Sequence, residues 1–177
     1  QIIRPLTATK SSAIGIHPGV KSFDNSARIA DVRAQISALR GAETRVCRQH
    51  WLRFSLQDTW RAQAAAGVKL DLTLGFNDRP GFRSGAALRY APLGVEGELE
   101  IIPTVLMDSQ FYDYDFPRDP WLAIEPWLAE IACVGGQAAV LWHIHTMHAD
   151  FGWGDGYRAL LSGAEKLGLQ FMDLSES

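Results

Sequence analysis

Short, almost wholly apolar runs alternate along this chain with longer segments in which apolar residues recur at every third or fourth position. That alternation restricts the fold more than any single residue does. A run such as Ala13 to His17 (AIGIH) is too short for a helix, and it lacks the polar alternation of a strand with one wet face. It reads as a strand buried on both sides, ended by His-Pro-Gly. The next segment places Ile29, Val32, Ile36 and Leu39 on one helical face, with Asp24, Asn25 or Ser26 to cap it and Gly41 to end it. The same order then repeats. Val46 and Cys47 open a strand. Ser55-Leu56-Gln57-Asp58 resembles a capping box, with Asp for the usual Glu, before a short helix from Trp60 to Ala66. Val68 to Leu74 alternates as a strand, and Leu99 to Met107 reads as another with Pro103 at an irregularity or edge. Trp121 to Val134 is helical, with a kink allowed at Pro126, and Ala138 to His143 is a buried strand. A last helix near Tyr157 to Leu167 and a short strand from Leu169 to Met172 close the pattern, while the aromatic and acidic segment from Asp108 to Pro120 cannot be a simple helix.

Strands and helices that alternate along most of the chain predict an α/β fold with a mostly parallel sheet, either closed into a barrel or left open. No repeat, low-complexity tract or long linker interrupts residues 1–177, which are therefore read as one domain. With 47% hydrophobic and 21% charged residues the chain is neither disordered nor coiled coil. A net charge of -3, with Lys and Arg scattered, offers no field for a phosphate backbone, so nucleic acid is not an expected partner. No apolar stretch approaches the roughly 20 residues of a membrane-spanning helix, so no membrane is expected. Cys47 and Cys133 lie in apolar surroundings and are read as two buried small hydrophobes that neither imply nor exclude an oxidising compartment.

Polar residues with chemical capacity fall at the ends of the apolar runs: His17, Arg48 with His50, Asp71 and His143. In parallel α/β barrels the C-terminal rim of the strands is where active sites form. Imidazole serves as a metal ligand or as a general acid or base, and Arg48 supplies a permanent charge that can orient a carboxylate. His143, His145 and His148 allow a sharper reading, because an HxH pair in extended chain can hold zinc from one strand. The loop Gly81-Phe82-Arg83-Ser84-Gly85 lacks the spacing of a nucleotide-binding turn and fits better as a cationic loop beside a sugar. Tyr112, Tyr114, Phe116, Trp121, Trp127 and Trp153 are candidate stacking platforms, with core packing the better reading for Trp127.

The strings IGIHPGVKS, RQHWLRFSLQDTW, VKLDLTLGF with GFRSG, IPTVLMD and LWH occur in this order between Ile14 and His143. Together they resemble the bacterial polysaccharide deacetylase superfamily, carbohydrate esterase family four, and within it a subgroup of large deacetylase-like proteins. The resemblance implies a distorted (β/α) barrel and a hydrolase that removes acetyl groups from a polysaccharide or amino sugar by metal-activated water. It implies a divalent metal, zinc, and a glycan as partner. On the matching positions His17 resembles the first metal histidine, Arg48 the arginine that orients the general base, and His143 the general acid. Asp71 joins His143 and Arg48 as a catalytic candidate, and Trp51, His50 and Arg83 are the expected substrate-binding residues.

Two features depart from that pattern. Lys21 stands where the second metal histidine is expected, and an ammonium cannot ligate. The aspartate pair of the first family motif is absent from Gln1 to Ile16, so the chain is expected to be a barrel lacking its first strand or strands. Two other readings stay open: an inactive carbohydrate-binding member, and a different metal-dependent barrel hydrolase using the His143 and His145 pair.

Overall fold

A computed structural model describes residues 13–112 and 119–174, and of Tyr112 the backbone only. They gather into two compact units. The first takes the described residues through Leu74, then Tyr90–Ile102, and those from Met172 on; the second takes Gly75–Arg89 and Pro103–Phe171.

In the first unit, helix α1 (Ser26–Arg40) starts where the Asn25 side chain accepts from the Arg28 N–H and stops at Gly41, whose φ of 71° lets its own N–H reach Ser37 O. Strands β1 (Val46–Cys47), β2 (Leu70–Asp71) and β3 (Glu100–Ile101) form a parallel sheet in the order β1-β2-β3, with helix α2 (Thr59–Ala65) between the first two in sequence. The core beneath them includes Ile16, Ile29, Cys47, Trp60, Val68 and Ile101.

In the second unit, β4 (Thr104–Met107) pairs in parallel with β5 (Ala139–Leu141). Helices α3 (Asp108–Tyr112), α4 (Pro120–Cys133) and α5 (Gly154–Lys166) complete it. Asp119 caps α4 by accepting from the Trp121 N–H, and Pro120 occupies the first turn, where its missing N–H costs nothing. The α4 helix runs through Pro126 on an exposed face, where water can take the carbonyl that proline leaves unpaired. Val105, Leu106, Phe111, Ile124, Leu128 and Leu160 form its core.

The fold is thus α/β with parallel pairing, as the alternation predicts. The two sheets have three and two strands, small and open, so a closed barrel is not seen among the described residues. Several local readings need correction. Ala13 to His17 forms only a single bridge, Ile16 with Cys47, and Leu169 to Met172 forms no strand. The run Leu99 to Met107 divides at Pro103, which cannot donate to a ladder, and its halves join different sheets. The strand expected from Val68 to Leu74 shrinks to two residues because the Thr73 N–H turns back to the Asp71 carboxylate. In the expected capping box, Ser55 Oγ donates to Asp58 Oδ2 at 2.7 Å, yet α2 begins after it with no side-chain cap. On α1 Ile29 is buried but Leu39 is 64% exposed, so the core face is narrower than the spacing suggests. Cys133 is exposed rather than buried, and both cysteines are free thiols. Within 108–120, α3 is helical, and Tyr114 and Phe116 lie outside the described residues. No helix among the described residues is long and apolar enough to cross a membrane.

Candidate functional site

Five of the expected site residues belong to the first unit. His17 follows the Ile16 bridge and is exposed, and its Nδ1 lies 2.8 Å from the Arg48 carbonyl. A carbonyl only accepts, so Nδ1 donates, and this bond fixes the orientation of the ring. The His50 ring packs 5.1 Å from that of His17 and 5.5 Å from that of Trp51. Trp51 itself has φ 58° and Leu52 φ 47°, two successive left-handed residues that are not glycine. Leu52 is buried and Trp51 is 74% exposed, so the strained turn seats the leucine while lifting the indole into solvent.

Asp71, the last residue of β2, is fully buried. It accepts from Trp60 Nε1 at 3.2 Å, Gln63 Nε2 at 2.8 Å and the Thr73 N–H at 3.0 Å, and from the Thr73 hydroxyl as well. Burial raises its carboxyl to about 6, opposed by the hydrogen bonds from Thr73, Gln63 and Trp60. Those donors are all neutral, and the same Gln63 amide reaches toward Cys47 Sγ. Asp71 thereby ties Trp60, Gln63 and Thr73 together in the interior of the first unit.

The second unit holds Arg83 and His143. Arg83 is exposed, and its Nη1 donates to Gly75 O at 3.1 Å, closing the glycine-rich loop across its base. His143 follows β5. Its Nδ1 lies 2.7 Å from Asp108 Oδ1, and its backbone N–H donates to Asp108 Oδ2 at 2.8 Å. Asp108 is completely buried, whereas the His143 side chain is 42% exposed. Thr146 completes the arrangement: its one hydroxyl proton serves Asp108 Oδ2 at 2.9 Å or the His143 carbonyl at 2.6 Å. The Ser109 N–H also donates to Asp108 Oδ1 at 2.8 Å. A buried carboxylate held at so many points fixes the imidazole through one nitrogen and leaves the other for a reacting group, the geometry of an oriented general acid or base.

Sequence reasoning did not assign Asp108 or Thr146 to the site. A signal existed, because Asp108 closes the apolar run of β4 as Asp71 closes that of β2. His145 and His148 are exposed, and His148 pairs with Asp150 at 3.2 Å. Among the described residues no three His, Cys, Asp or Glu side chains gather into a group that could hold a metal ion.

No protein-family model matches the chain, and no curated protein sequence matches it. Among solved structures its fold is similar to that of a "putative polysaccharide deacetylase" from Mycobacterium smegmatis, with a TM-score of 0.62 and 20% sequence identity. The match covers 95% of this chain and 60% of the other, so this chain spans about three fifths of that protein. What the likeness gives is the fold: an α/β arrangement similar to that of a polysaccharide deacetylase.

Proposed function

We propose that this chain carries part of the machinery of a hydrolase that removes acetyl groups from a polysaccharide or amino sugar. The observation that carries the reading is the half-exposed His143 held by the buried Asp108, on a fold similar to that of a protein named as a polysaccharide deacetylase. Breaking an acetamide or acetyl ester requires a proton for the departing nitrogen or oxygen as the tetrahedral intermediate collapses. His143 would deliver that proton from Nε2 while Asp108 holds Nδ1. In this proposal Trp51, His50 and Arg83 bind the sugar, Arg48 orients a carboxylate, and the buried Asp71 acts as a positioning residue.

Zinc activation of the attacking water belongs to the same reading of the working enzyme. The described residues do not make up such a centre. His17 is the one expected ligand among them, and a single imidazole falls short of the three protein ligands of a catalytic zinc site. Lys21, an exposed ammonium where a second imidazole is expected, favours a second reading: a sugar-binding member without catalysis.

Acetate release separates the two. The full-length protein, with and without added zinc, is incubated with acetylated chito-oligosaccharides and acetylated xylan. The hydrolase reading expects acetate from the wild type and its loss in a folded His143→Ala variant. Equal release from both proteins, or sugar binding without any release, would overturn it.

A further inference from the structure

The segment after β5 carries a second feature besides the Asp108 and His143 pair. Ring follows ring outward from the histidine: His143 to His145 at 5.5 Å, His145 to Phe151 at 5.4 Å, and Phe151 to Trp153 at 5.8 Å. The His145 and Trp153 planes stand at 79° and 80° to that of Phe151. Phe151 is 50% exposed, and Ile144 beside the start of the row is 87% exposed.

The row is also built to hold its shape. The Phe151 and Gly152 N–H groups both donate to the His148 carbonyl, at 3.0 and 3.2 Å, and Gly152 takes the left-handed φ of 71° that this tight return requires. The Trp153 N–H donates to the Thr146 carbonyl at 3.3 Å. Thr146 is the residue whose hydroxyl reaches Asp108. One buried threonine therefore ties the aromatic row, through its carbonyl, to the carboxylate that holds His143.

We infer that His145, Phe151 and Trp153 form a subsite for an uncharged sugar ring, one that adjoins the residue reacting at His143. The inference rests on the proposed hydrolase reading for what happens at His143, and on the row itself for the binding. A pyranose presents C–H groups on its faces and hydroxyls around its rim, so it meets an aromatic face with its apolar side and keeps its polar groups wet. Two residues beyond Trp153 the Asp155 carboxylate is paired with Arg158, and His148 Nδ1 lies 3.2 Å from Asp150 Oδ2. A platform fixed before binding spends little entropy on ordering, and its rigid tie to Asp108 keeps a polymer in register with the acid.

The test is binding of chito-oligosaccharides from the monosaccharide to the hexamer, followed by calorimetry and tryptophan fluorescence on the full chain. Phe151→Ala is expected to weaken the hexamer by about tenfold while leaving the monosaccharide nearly unchanged, and Phe151→Tyr to restore affinity. Circular dichroism checks that each variant is folded, and Trp153→Ala provides a second disruption of the row. Unchanged hexamer affinity in both alanine variants, no saturable binding of any oligomer, or binding to phosphatidylcholine vesicles in place of sugar overturns the inference. Sugar binding that depends on Phe151 without acetate release supports it while the hydrolase reading fails. Acetate release indifferent to Phe151 at every chain length does the reverse.

Discussion

Asp108 holds His143 twice, accepting from its backbone N–H at 2.8 Å and meeting its ring Nδ1 at 2.7 Å. The ring's orientation is thereby settled before any substrate arrives. Replacing Asp108 with Asn removes the anionic acceptor and lets the imidazole choose the other tautomer. Acetate release is expected to fall by about 100-fold or more in kcat, with KM little changed. Steady-state kinetics on the folded variant checks this, and a variant as fast as the parent shows that His143 does not work through Asp108.

Asp71 makes stability depend on pH. Burial raises it from 3.8 to about 6. Between those values the folded chain keeps a proton that the unfolded chain has already released, so this group's contribution to stability is greatest below about pH 4 and declines as pH rises through 6. The shift corresponds to about 3 kcal/mol. Glu43, held down by Arg33 and Arg45, and Glu98, held down by Lys69, act in the opposite sense, so the comparison must be made against Asp71→Asn. Urea denaturation at pH 4 and pH 7 should show the wild type losing ground relative to that variant as pH rises. A constant difference between the two proteins would show that Asp71 does not change its proton occupancy in this range.

Trp51 trades stability for exposure. Its left-handed φ of 58° is unfavourable for an aromatic residue, and its ring is mostly in water. Trp51→Asn substitutes a residue at ease in that conformation and should raise the unfolding free energy by about 1 kcal/mol. The same variant should bind chito-oligosaccharides more weakly if the indole meets sugar. Chemical denaturation and calorimetry measure the two effects separately.

Gly163 is required by packing within the second unit. A Cβ built there would lie 1.8 Å from the Trp121 ring, far inside contact distance. Gly163→Ala should destabilise by about 1–3 kcal/mol despite the better helix propensity of alanine. An unchanged thermal midpoint would mean that α4 and α5 can slide apart at no cost.

The α/β class was legible because short buried runs and helix-period segments differ in length and period. Strand extent was not. Asp71 curls the backbone back after two ladder residues through its own side chain, and Pro103 hands one apolar run to two sheets. Both effects depend on where a carboxylate or a missing N–H falls in three dimensions. His143 was legible as a candidate because it ends a buried strand. Asp108 ends one too, but its role depends on a partner 35 residues away that periodicity does not reveal. The exposed Trp51 came from a resemblance, and nothing in its spacing foretold the left-handed turn that presents it.

The order in which chain segments are made follows from how the first unit is assembled. Its third strand, Glu100–Ile101, is synthesised after Gly75–Arg89, which belongs to the second unit. A nascent chain emerging from the ribosome therefore cannot complete β1-β2-β3 until residues of the other unit are already out and still waiting for Pro103–Phe171. No single cut yields either unit as one continuous polypeptide, so truncation at Leu74 would release a sheet whose β2 lacks its neighbour, its backbone edge open to pairing with another chain.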